Sequence, residues 1–369
     1  MEANPLRKLA GCGQSVWLDD IRRDLFTDGG LRRRIDVDGL TGMTSNPAIF
    51  EKAIAGSRLY DAAIQALLRS GKVGAAVYEA LSWEDVQSAA DEFNQVYALS
   101  DARDGYVSLE VDPHLARDTQ GTVREARRLW IGLHRPNVMI KVPATDQGIL
   151  AFRQLVQEGI NVNVTLIFGM NRYSQVAEAH LAGLEARAAQ GLPMARVASV
   201  ASFFISRVDA MVDPLLGTAE ASIAGEAQEA RGLVAIAGAK AAYQHYKDLT
   251  ASARFAALAG AGAQAQRLLW ASTSSKDPKD SDIKYVEALI GRDTVNTAPP
   301  QTLDAYRDHG RPEPRLEADL AGAQALLAAL PAWGIDMAVV ERRLEDEGVR
   351  KFIQPFDKLL AVLNARAGR

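Results

Sequence analysis

The sequence lacks several features that mark whole classes of protein. Its single cysteine, Cys12, has no partner for an internal disulfide, and a cysteine-based metal site is impossible with one thiol. No stretch approaches the ~18 consecutive apolar residues of a membrane-spanning helix, and the first residues contain no apolar signal core. We therefore expect a cytoplasmic protein that does not associate with membranes.

A basic excess is also missing. The 369 residues include 42 Lys and Arg against 46 Asp and Glu, which gives a formal net charge of −4 at pH 7. Proteins that bind nucleic acids usually carry surplus positive charge, so we expect no nucleic-acid partner. The five histidines show no HxH or HExxH spacing, and no glycine-rich phosphate loop follows a strand. We expect neither a metal nor a nucleotide cofactor.

The sequence does contain a globular composition and a repeating pattern. Apolar residues make up 48% and charged residues 24%, both typical of soluble globular proteins. Eight short runs rich in Val, Ile, Leu and Thr are bounded by Gly, Pro, Asn or Asp, and longer helix-like stretches separate most of them. These predicted strands are residues 15–20, 39–45, 105–113, 137–145, 161–168, 195–206, 267–273 and 294–298.

The alternation of strands and helices predicts the fold class. Strands that alternate with helices through short connections are parallel, and eight such units closed on themselves form a (β/α)₈ TIM barrel of roughly 250 residues. The remaining residues fit helical additions at about 50–104 and 310–369. We expect an α/β barrel that forms a single domain over residues 1–369, with a C-terminal helical extension. A doubly wound open sheet is the alternative.

Polar residues recur on one face of the predicted strands, where apolar residues are the default. Side chains alternate along a strand, so Asn163 and Thr165 share one face of the fifth strand. The opposite face carries Val162, Val164 and Leu166. Three other strands group polar residues in the same way: Ser108, Glu110 and Asp112; Ser202 and Ser206; Ser272 and Ser274. Buried polar groups need partners, so this pattern predicts a polar pocket at one end of the barrel. Edge strands with a solvated face are the alternative.

Lys141 departs most clearly from the strand pattern. It lies in the apolar run VMIKVPA, and lysine is rarely buried without a purpose. A lysine amine can form a Schiff base with a carbonyl substrate, and the apolar neighbours Met139, Ile140 and Val142 would favour its neutral form. The alternative is a lysine that reaches solvent at a strand end or belongs to a buried ion pair.

Several segments follow, in order, the motifs of a known family. Two long ones are TGMTSNPAIF (41–50) and NVMIKVPATDQGILAFRQLVQEGINVNVTLIF (137–168). Others are WLDDIRRD (17–24), SLEVDP (108–113), SVASFFISRVDAMVD (199–213), the segment 268–306 that begins LLWASTSSK, and GVRKFIQPFDKLL (348–360). With these segments the chain resembles the transaldolases, in particular their longer bacterial subfamily, over essentially its whole length.

The resemblance implies a function. Transaldolases are class I aldolase-type barrels of the pentose phosphate pathway that need no metal or cofactor. These transferases move a dihydroxyacetone unit from sedoheptulose 7-phosphate to glyceraldehyde 3-phosphate, giving erythrose 4-phosphate and fructose 6-phosphate. Phosphorylated sugars are therefore the expected partners, and the expected assembly is a monomer or homodimer. The alternatives are a Schiff-base aldolase that releases free dihydroxyacetone, or a catalytically silent barrel that binds sugar phosphates.

The resemblance also implies catalytic residues. Lys141 would be the Schiff-base lysine, and Asp19 would move the proton of the hydroxyl at the cleaved bond. Glu110 would act in carbinolamine formation and loss through a water held near Thr165. Asp20 follows Asp19 and points to the opposite face of a regular strand, so only one of the two can face the barrel interior.

Binding residues follow from the same comparison. Asn46, Asn163 and Ser202 would hold the dihydroxyacetone unit, and Arg207 would bind phosphate. The alternative for Arg207 is a surface arginine paired with Asp209 or Asp213. The chain departs from the shorter subfamily after the seventh strand, where a second phosphate arginine is absent; Ser272 and Lys276 are the candidates to replace it.

Overall fold

The computed structural model describes residues 4–217 and 224–367. Eight parallel strands form a closed barrel in chain order, because β8 pairs back with β1. The strands are β1 Gln14–Asp19, β2 Gly42–Thr44, β3 Tyr106–Glu110, β4 Val138–Pro143, β5 Val162–Ile167, β6 Ser199–Phe204, β7 Arg267–Ala271 and β8 Thr294–Ala298. All eight predicted strands are confirmed, most of them with narrower bounds. The closed ring rules out the open sheet.

Helices surround the barrel and extend beyond it. In the described residues they are α1 Pro5–Gly11, α2 Asp24–Thr27, α3 Gly30–Arg33, α4 Pro47–Phe50, α5 Asp61–Arg69, α6 Ala75–Leu99, α7 Thr119–Leu133, α8 Asp146–Glu158, α9 Met170–Ala189, α10 Ser206–Leu216, α11 Ala224–Glu229, α12 Val234–Thr250, α13 Ala253–Gly260, α14 Lys284–Ala288, α15 Pro300–His309, α16 Leu320–Ala329 and α17 Met337–Ala367. The predicted additions are confirmed: α5 and α6 lie within 50–104, and α16 and α17 within 310–369.

Local sequence explains why helices begin close behind the strands. Thr145 caps α8 two residues after β4 ends, because its hydroxyl accepts a hydrogen bond from the Gly148 N–H. Gly148 is needed at this turn, since a Cβ there would lie 1.9 Å from the Pro143 carbonyl oxygen. Asp118 caps α7 in the same manner through the Gly121 N–H. The pairing of β3 with β4 extends to Glu110 and Lys141, so the C-terminal ends of these two strands lie beside each other.

A buried ion pair occupies the N-terminal end of the barrel. Arg267 donates to Asp104 Oδ1 at 2.9 Å and to Ser15 Oγ at 2.8 Å, and Ser15 donates in turn to Asp104 Oδ2 at 2.7 Å. The indole of Trp17 contributes a further hydrogen bond to Asp104 at 3.3 Å. These side chains come from β1, β7 and the segment before β3, so they fill the end of the barrel opposite the strands' C-termini.

Strand β5 contains an irregularity at Leu166. The pairing register with β6 shifts between Val164 and Ile167, and Leu166 adopts a φ of 64°. The predicted alternation is therefore wrong at Leu166, because a left-handed residue breaks the two-residue period of the strand. Helix α17 passes directly over this position, since a Cβ on Gly348 would lie 2.9 Å from a Leu166 δ-carbon.

Helix α17 crosses the C-terminal end of the barrel. Ion pairs join its 31 residues to elements that follow three different strands, β2, β3 and β5. The ion pairs are Arg172–Glu345 at 2.9 Å, His114–Asp357 at 2.7 Å, Lys358–Glu51 at 2.8 Å, Arg366–Asp61 at 2.7 Å, and Arg117–Asp346. Together with the contact at Gly348, they hold the apolar side of α17 against the barrel.

Of the helices that the structure describes, none alone has the length and apolar composition to cross a membrane. One bent pair, Leu320–Trp333 with Met337–Ala367 at 92°, meets that requirement jointly, by length and composition only.

Candidate active site

A polar cavity of about 220 Å³ opens at the C-terminal ends of the strands. Its lining includes Asp19, Thr44, Asn46, Lys141, Thr165, Ser202, Phe204, Arg207, Ser272, Ser274, Lys276, Thr297 and Phe352. Eight of the ten site residues predicted from the sequence are in this set. The other two, Glu110 and Asn163, are outside this set, but each hydrogen-bonds to a residue in it, and Glu110 lines a separate cavity with Tyr78 and Phe356. Active sites of such barrels lie at this end.

Lys141 projects inward from β4 and is only 5% exposed. The register of β3 and β4 places it directly beside Glu110. Its ammonium donates to Glu110 Oε1 at 2.8 Å and to the Ser45 carbonyl at 2.7 Å. The ring of Phe352, from α17, lies with its centroid 5.8 Å from Lys141 Nζ. The amine is thus held by two acceptors and covered by an aromatic ring.

Glu110 is held between a cation and a hydroxyl. Ser45 Oγ donates to Glu110 Oε2 at 2.9 Å, opposite the oxygen that contacts Lys141. Burial raises the pKa of Glu110, and the positive charge of Lys141 and the Ser45 hydrogen bond oppose that rise. A carboxylate with these neighbours can exchange a proton with the lysine amine.

Asp19 ends β1 at the edge of the cavity. It accepts a hydrogen bond from Thr44 Oγ1 at 2.7 Å, and Thr44 Oγ1 lies 2.7 Å from Thr297 Oγ1. Since the Thr44 proton points to Asp19, Thr297 is the donor in that second bond. Burial raises the pKa of Asp19, and the charge of Lys141 is the largest effect opposing the rise. Asp20 lies outside the cavity lining, 3.4 Å from the Arg22 guanidinium.

The two asparagines near the cavity differ in how many of their hydrogen-bonding groups already have a partner. Asn46 caps α4 with its oxygen, which accepts from the Ile49 N–H at 3.0 Å and leaves the amide nitrogen available. Asn163 is engaged at both ends: it donates to Ser108 Oγ at 3.0 Å and accepts from Ser202 Oγ at 2.6 Å. Asn163 therefore holds Ser202 in place from below the cavity.

Thr165 has an unused hydrogen-bonding group. Its Oγ1 is buried and has no hydrogen-bond partner within the described part of the chain. Such an orphaned hydroxyl marks a position where a water or a substrate group binds. The backbone register pairs Thr165 with Pro143, two residues beyond Lys141, so this hydroxyl is on the same rim as the lysine.

Arg207 lies at the other side of the cavity, in the first turn of α10. Its guanidinium packs over the Phe204 ring at 5.0 Å, and its buried Nη1 has no hydrogen-bond partner among the described residues. The pairing considered as an alternative is wrong. Asp209 accepts from the Ala235 N–H at 2.7 Å and the Tyr285 hydroxyl at 2.9 Å, and Asp213 accepts from the Gly232 N–H at 2.8 Å.

The segment after β7 adds hydroxyls and a second cation. Lys276 is exposed at the outer edge of the cavity and donates to Ser274 Oγ at 2.9 Å. Ser272 has a φ of 57° and lies 2.9 Å from the Ser206 hydroxyl. Ser206 was predicted to lie on a strand; it begins α10 instead. Desolvation and the charge of Arg207 lower the pKa of Lys276. Neither cation has a carboxylate in direct contact within residues 4–217 and 224–367, and two neighbouring cations of this kind favour an anionic ligand.

The chain matches the Transaldolase/Fructose-6-phosphate aldolase family over residues 16–363. The chain belongs to this family. It is 45% identical to "Transaldolase 2" of Nostoc sp., over 99% of this chain and 98% of that protein. It is 46% identical to the "Transaldolase" of Thiobacillus denitrificans (97% and 99%) and to "Transaldolase 1" of Streptomyces coelicolor (98% and 94%).

Some residues of this family member's cavity were missed by sequence reasoning. They are Thr44, Thr297 and Phe352, which line the cavity, and Ser45, which donates to Glu110. Ser45 lies in the turn between β2 and α4, where no period exists to reveal which way a side chain points. Phe352 looks like any apolar residue of an amphipathic helix. In residues 4–217 and 224–367, no three His, Cys, Asp or Glu side chains are grouped as metal ligands would be.

Proposed function

We propose that this chain is a transferase that moves a dihydroxyacetone unit from sedoheptulose 7-phosphate to glyceraldehyde 3-phosphate through a Schiff base on Lys141. The products are erythrose 4-phosphate and fructose 6-phosphate. The observation that carries the proposal is the buried Lys141, hydrogen-bonded to Glu110 at 2.8 Å, in a cavity that also contains Asp19. Membership of the transaldolase family supports it.

The first steps need a neutral amine and a route for protons. Lys141 passes a proton to Glu110, and its nitrogen then adds to the ketose carbonyl carbon to form a carbinolamine. Glu110 returns the proton, through a water held at the Thr165 hydroxyl, to the carbinolamine oxygen. A second proton then moves from the nitrogen to the same oxygen, which leaves as water, and the carbon–nitrogen bond becomes the protonated imine. Both acceptors of Lys141 hold its nitrogen in place for this attack.

The carbon–carbon bond then breaks with the help of Asp19. The carboxylate takes the proton of the hydroxyl next to the cleaved bond, the first aldehyde leaves, and the bonding electrons pass into the imine to form an enamine. The acceptor aldehyde reverses these steps: the enamine carbon bonds to its carbonyl carbon, and Asp19 returns the proton to the new hydroxyl. Thr44 and Thr297 keep Asp19 in one orientation throughout.

The far side of the cavity is suited to the phosphate group. Arg207 presents a planar guanidinium with a free buried nitrogen, and Lys276, Ser272 and Ser274 add a second charge and two hydroxyls. Asn46 and Ser202 are available for the hydroxyls of the dihydroxyacetone unit, and Asn163 supports Ser202.

Two other functions would use the same cavity. A catalytically silent barrel that binds sugar phosphates has no use for a buried lysine beside a carboxylate, because that pair contributes nothing to binding an anion. An aldolase that releases free dihydroxyacetone would use the same residues, so only the fate of the enamine separates it from a transferase. We further propose that the whole chain forms one catalytic unit, since β1 pairs with β8 and α17 contributes Phe352. Cytoplasmic location and a monomer or homodimer stay predictions.

The test is chemical trapping of the imine. Incubation with fructose 6-phosphate and borohydride, followed by peptide mass mapping, should place the reduced adduct on Lys141 alone. Lys141→Arg should give no adduct and background activity, because a guanidinium forms no imine under these conditions. Lys276, in the same cavity, and Lys240, outside it, are the internal controls. An adduct on either of them in place of Lys141 would refute the assignment.

A further inference from the structure

We propose that Phe352 sets the fate of the enamine, favouring transfer to an aldehyde over release of free dihydroxyacetone. The inference rests on the function proposed above. Phe352 is 8% exposed, lines the cavity from α17, and has its ring centroid 5.8 Å from Lys141 Nζ. It is the aromatic ring beside the reacting nitrogen, whereas Phe204 packs against Arg207 on the phosphate side.

The two fates differ in their need for a proton from water. In transfer, the enamine carbon bonds to the acceptor carbonyl carbon and the new alkoxide takes its proton from Asp19. In release, the enamine carbon takes a proton from a water molecule, which re-forms the iminium. Water then adds to the iminium carbon, a proton moves to nitrogen, and the carbon–nitrogen bond breaks to give dihydroxyacetone and the free Lys141 amine. A group that keeps mobile water away from the enamine carbon therefore slows the release of dihydroxyacetone without slowing transfer.

Phe352 is placed to exclude such water. Most side chains around Lys141 are polar and would attract it, among them Asp19, Thr44, Thr165 and Ser202. The Phe352 ring fills the space on the α17 side of the amine and offers neither a proton nor a hydrogen-bond acceptor. Once the first aldehyde has left, the cavity of about 220 Å³ is large enough for several waters, so this wall matters most at the enamine stage.

Contacts on both sides of the ring position it. The ion pairs Arg172–Glu345 and His114–Asp357 attach α17 to the barrel on either side of Phe352, and Gly348 lies in direct contact with Leu166 one turn before it. A side chain fixed in this way excludes water more effectively than one on a mobile loop, because it does not vacate its position between substrates.

The experiment compares wild type, Phe352→Ala and Leu359→Ala. Leu359 lies two turns further along α17, is buried, and is outside the lining of the cavity that contains Lys141 and of the one that Glu110 lines, so its variant controls for damage to the helix. For each protein, two rates are measured from fructose 6-phosphate: transfer to erythrose 4-phosphate, and release of free dihydroxyacetone without an acceptor. The ratio of release to transfer should rise about tenfold in Phe352→Ala, equal to a change of about 1.4 kcal/mol between the two barriers. It should stay at the wild-type value in Leu359→Ala.

Several outcomes would overturn the inference. An unchanged ratio in Phe352→Ala would do so, as would an equal rise in Leu359→Ala, which would indicate a general loosening of α17. If Phe352→Ala does not fold, Phe352→Leu takes its place, with a smaller rise expected and a wild-type ratio counting against the proposal. Borohydride trapping on wild type separates the two levels: no adduct on Lys141 refutes the proposed function, while a normal adduct with an unchanged ratio refutes only the role of Phe352.

Discussion

Lys141 donates a hydrogen bond to Glu110 across 2.8 Å, and the two side chains are adjacent partners in neighbouring strands. A proton that moves from the ammonium to the carboxylate removes two buried charges at once. Because burial raises the pKa of Glu110, the carboxylate is a better proton acceptor than one in water. The same contact therefore holds the lysine in a buried ion pair and provides the route by which its nitrogen becomes a nucleophile.

Glu110→Gln should separate this proton transfer from folding. An amide keeps the shape of the side chain but cannot take the Lys141 proton, so kcat should fall by a factor of about 10²–10⁴. Activity with fructose 6-phosphate and erythrose 4-phosphate measures the effect, and thermal unfolding is the control.

The fold should tolerate Glu110→Gln. Because burial raises the pKa of Glu110, folding favours the protonated carboxyl over the charged carboxylate. The stability that comes from the protonated form is present at low pH and is lost as the pH rises through the folded-state pKa, so the charged form is a cost to folding. The amide removes this cost, and its carbonyl oxygen can still accept a hydrogen bond from Lys141, so the lysine keeps a partner that an alanine would not provide. A variant with normal kcat, or one that is largely unfolded at 25 °C, would show that Glu110 has a structural role instead.

Arg207→Ala should discriminate between phosphorylated and unphosphorylated sugars. A charge-assisted hydrogen bond is worth about 1.5–3 kcal/mol, so kcat/KM for fructose 6-phosphate should fall about 10- to 150-fold. The value for fructose should change little, because the phosphate is several bonds from the reacting carbon. Steady-state kinetics on both sugars at one salt concentration provide the comparison.

The matched control is Arg254→Ala, which removes an arginine that pairs with Glu178 and Glu185 on the outer helices. It should leave both sugars unaffected. Equal losses on fructose and fructose 6-phosphate in Arg207→Ala would mean that Arg207 supports the fold or the catalytic groups and not the phosphate.

His180 should make the protein less stable in mild acid. It is buried in α9, stacked on Phe152 with ring centroids 6.2 Å apart, and burial lowers its pKa to about 4. Between about pH 6.5 and 4 the unfolded chain binds a proton that the folded protein does not, so stability falls by up to ~1.4 kcal/mol per pH unit over that range. His180→Leu should lack this contribution and lose less stability between pH 7 and pH 4.5. Denaturant unfolding at several pH values measures it; parallel curves for the two proteins would contradict it.

Asp104→Ala should destabilise the barrel without altering the chemistry. It leaves the buried guanidinium of Arg267 without its carboxylate, and breaking a buried pair in this way costs about 3–5 kcal/mol. The free energy of unfolding should fall accordingly, while kcat per folded molecule stays at the wild-type value. Asp91→Ala, which breaks an exposed pair with Arg135, should cost about 1 kcal/mol or less. Similar losses in the free energy of unfolding for the two variants would show that the buried pair stabilises the fold no more than the exposed pair.

The periodicity of the sequence was sufficient to predict the eight-stranded barrel. All eight strands stand out because each is a short, β-branched run between turn residues, and a parallel strand is buried on both faces. It failed where the backbone departs from regularity. Leu166 takes a left-handed φ and Ser206 begins a helix, so a two-residue alternation assigned both incorrectly.

The same reasoning predicts only some of the residues that form the cavity. Polar residues on strands, such as Glu110, Thr165 and Ser202, interrupt an apolar pattern and can be seen. Asp19 and Asn46 were named through family resemblance alone, because a carboxylate at a strand end and an amide in a turn are ordinary features of any sequence. Phe352 acquires its position from tertiary packing of α17 on the strand ends, which no local pattern encodes.

The order of elements along the chain has a consequence for synthesis on the ribosome. The barrel cannot close before β8 is made, because β8 pairs with β1. Helix α17 comes later still, and at ~5–20 residues per second the stretch between Ala298 and Phe352 takes several seconds to translate. During that interval the nascent chain can hold a complete ring of strands with Lys141 open to water on the side that α17 later covers. The last helix to emerge thus changes a hydrated amine into a shielded one.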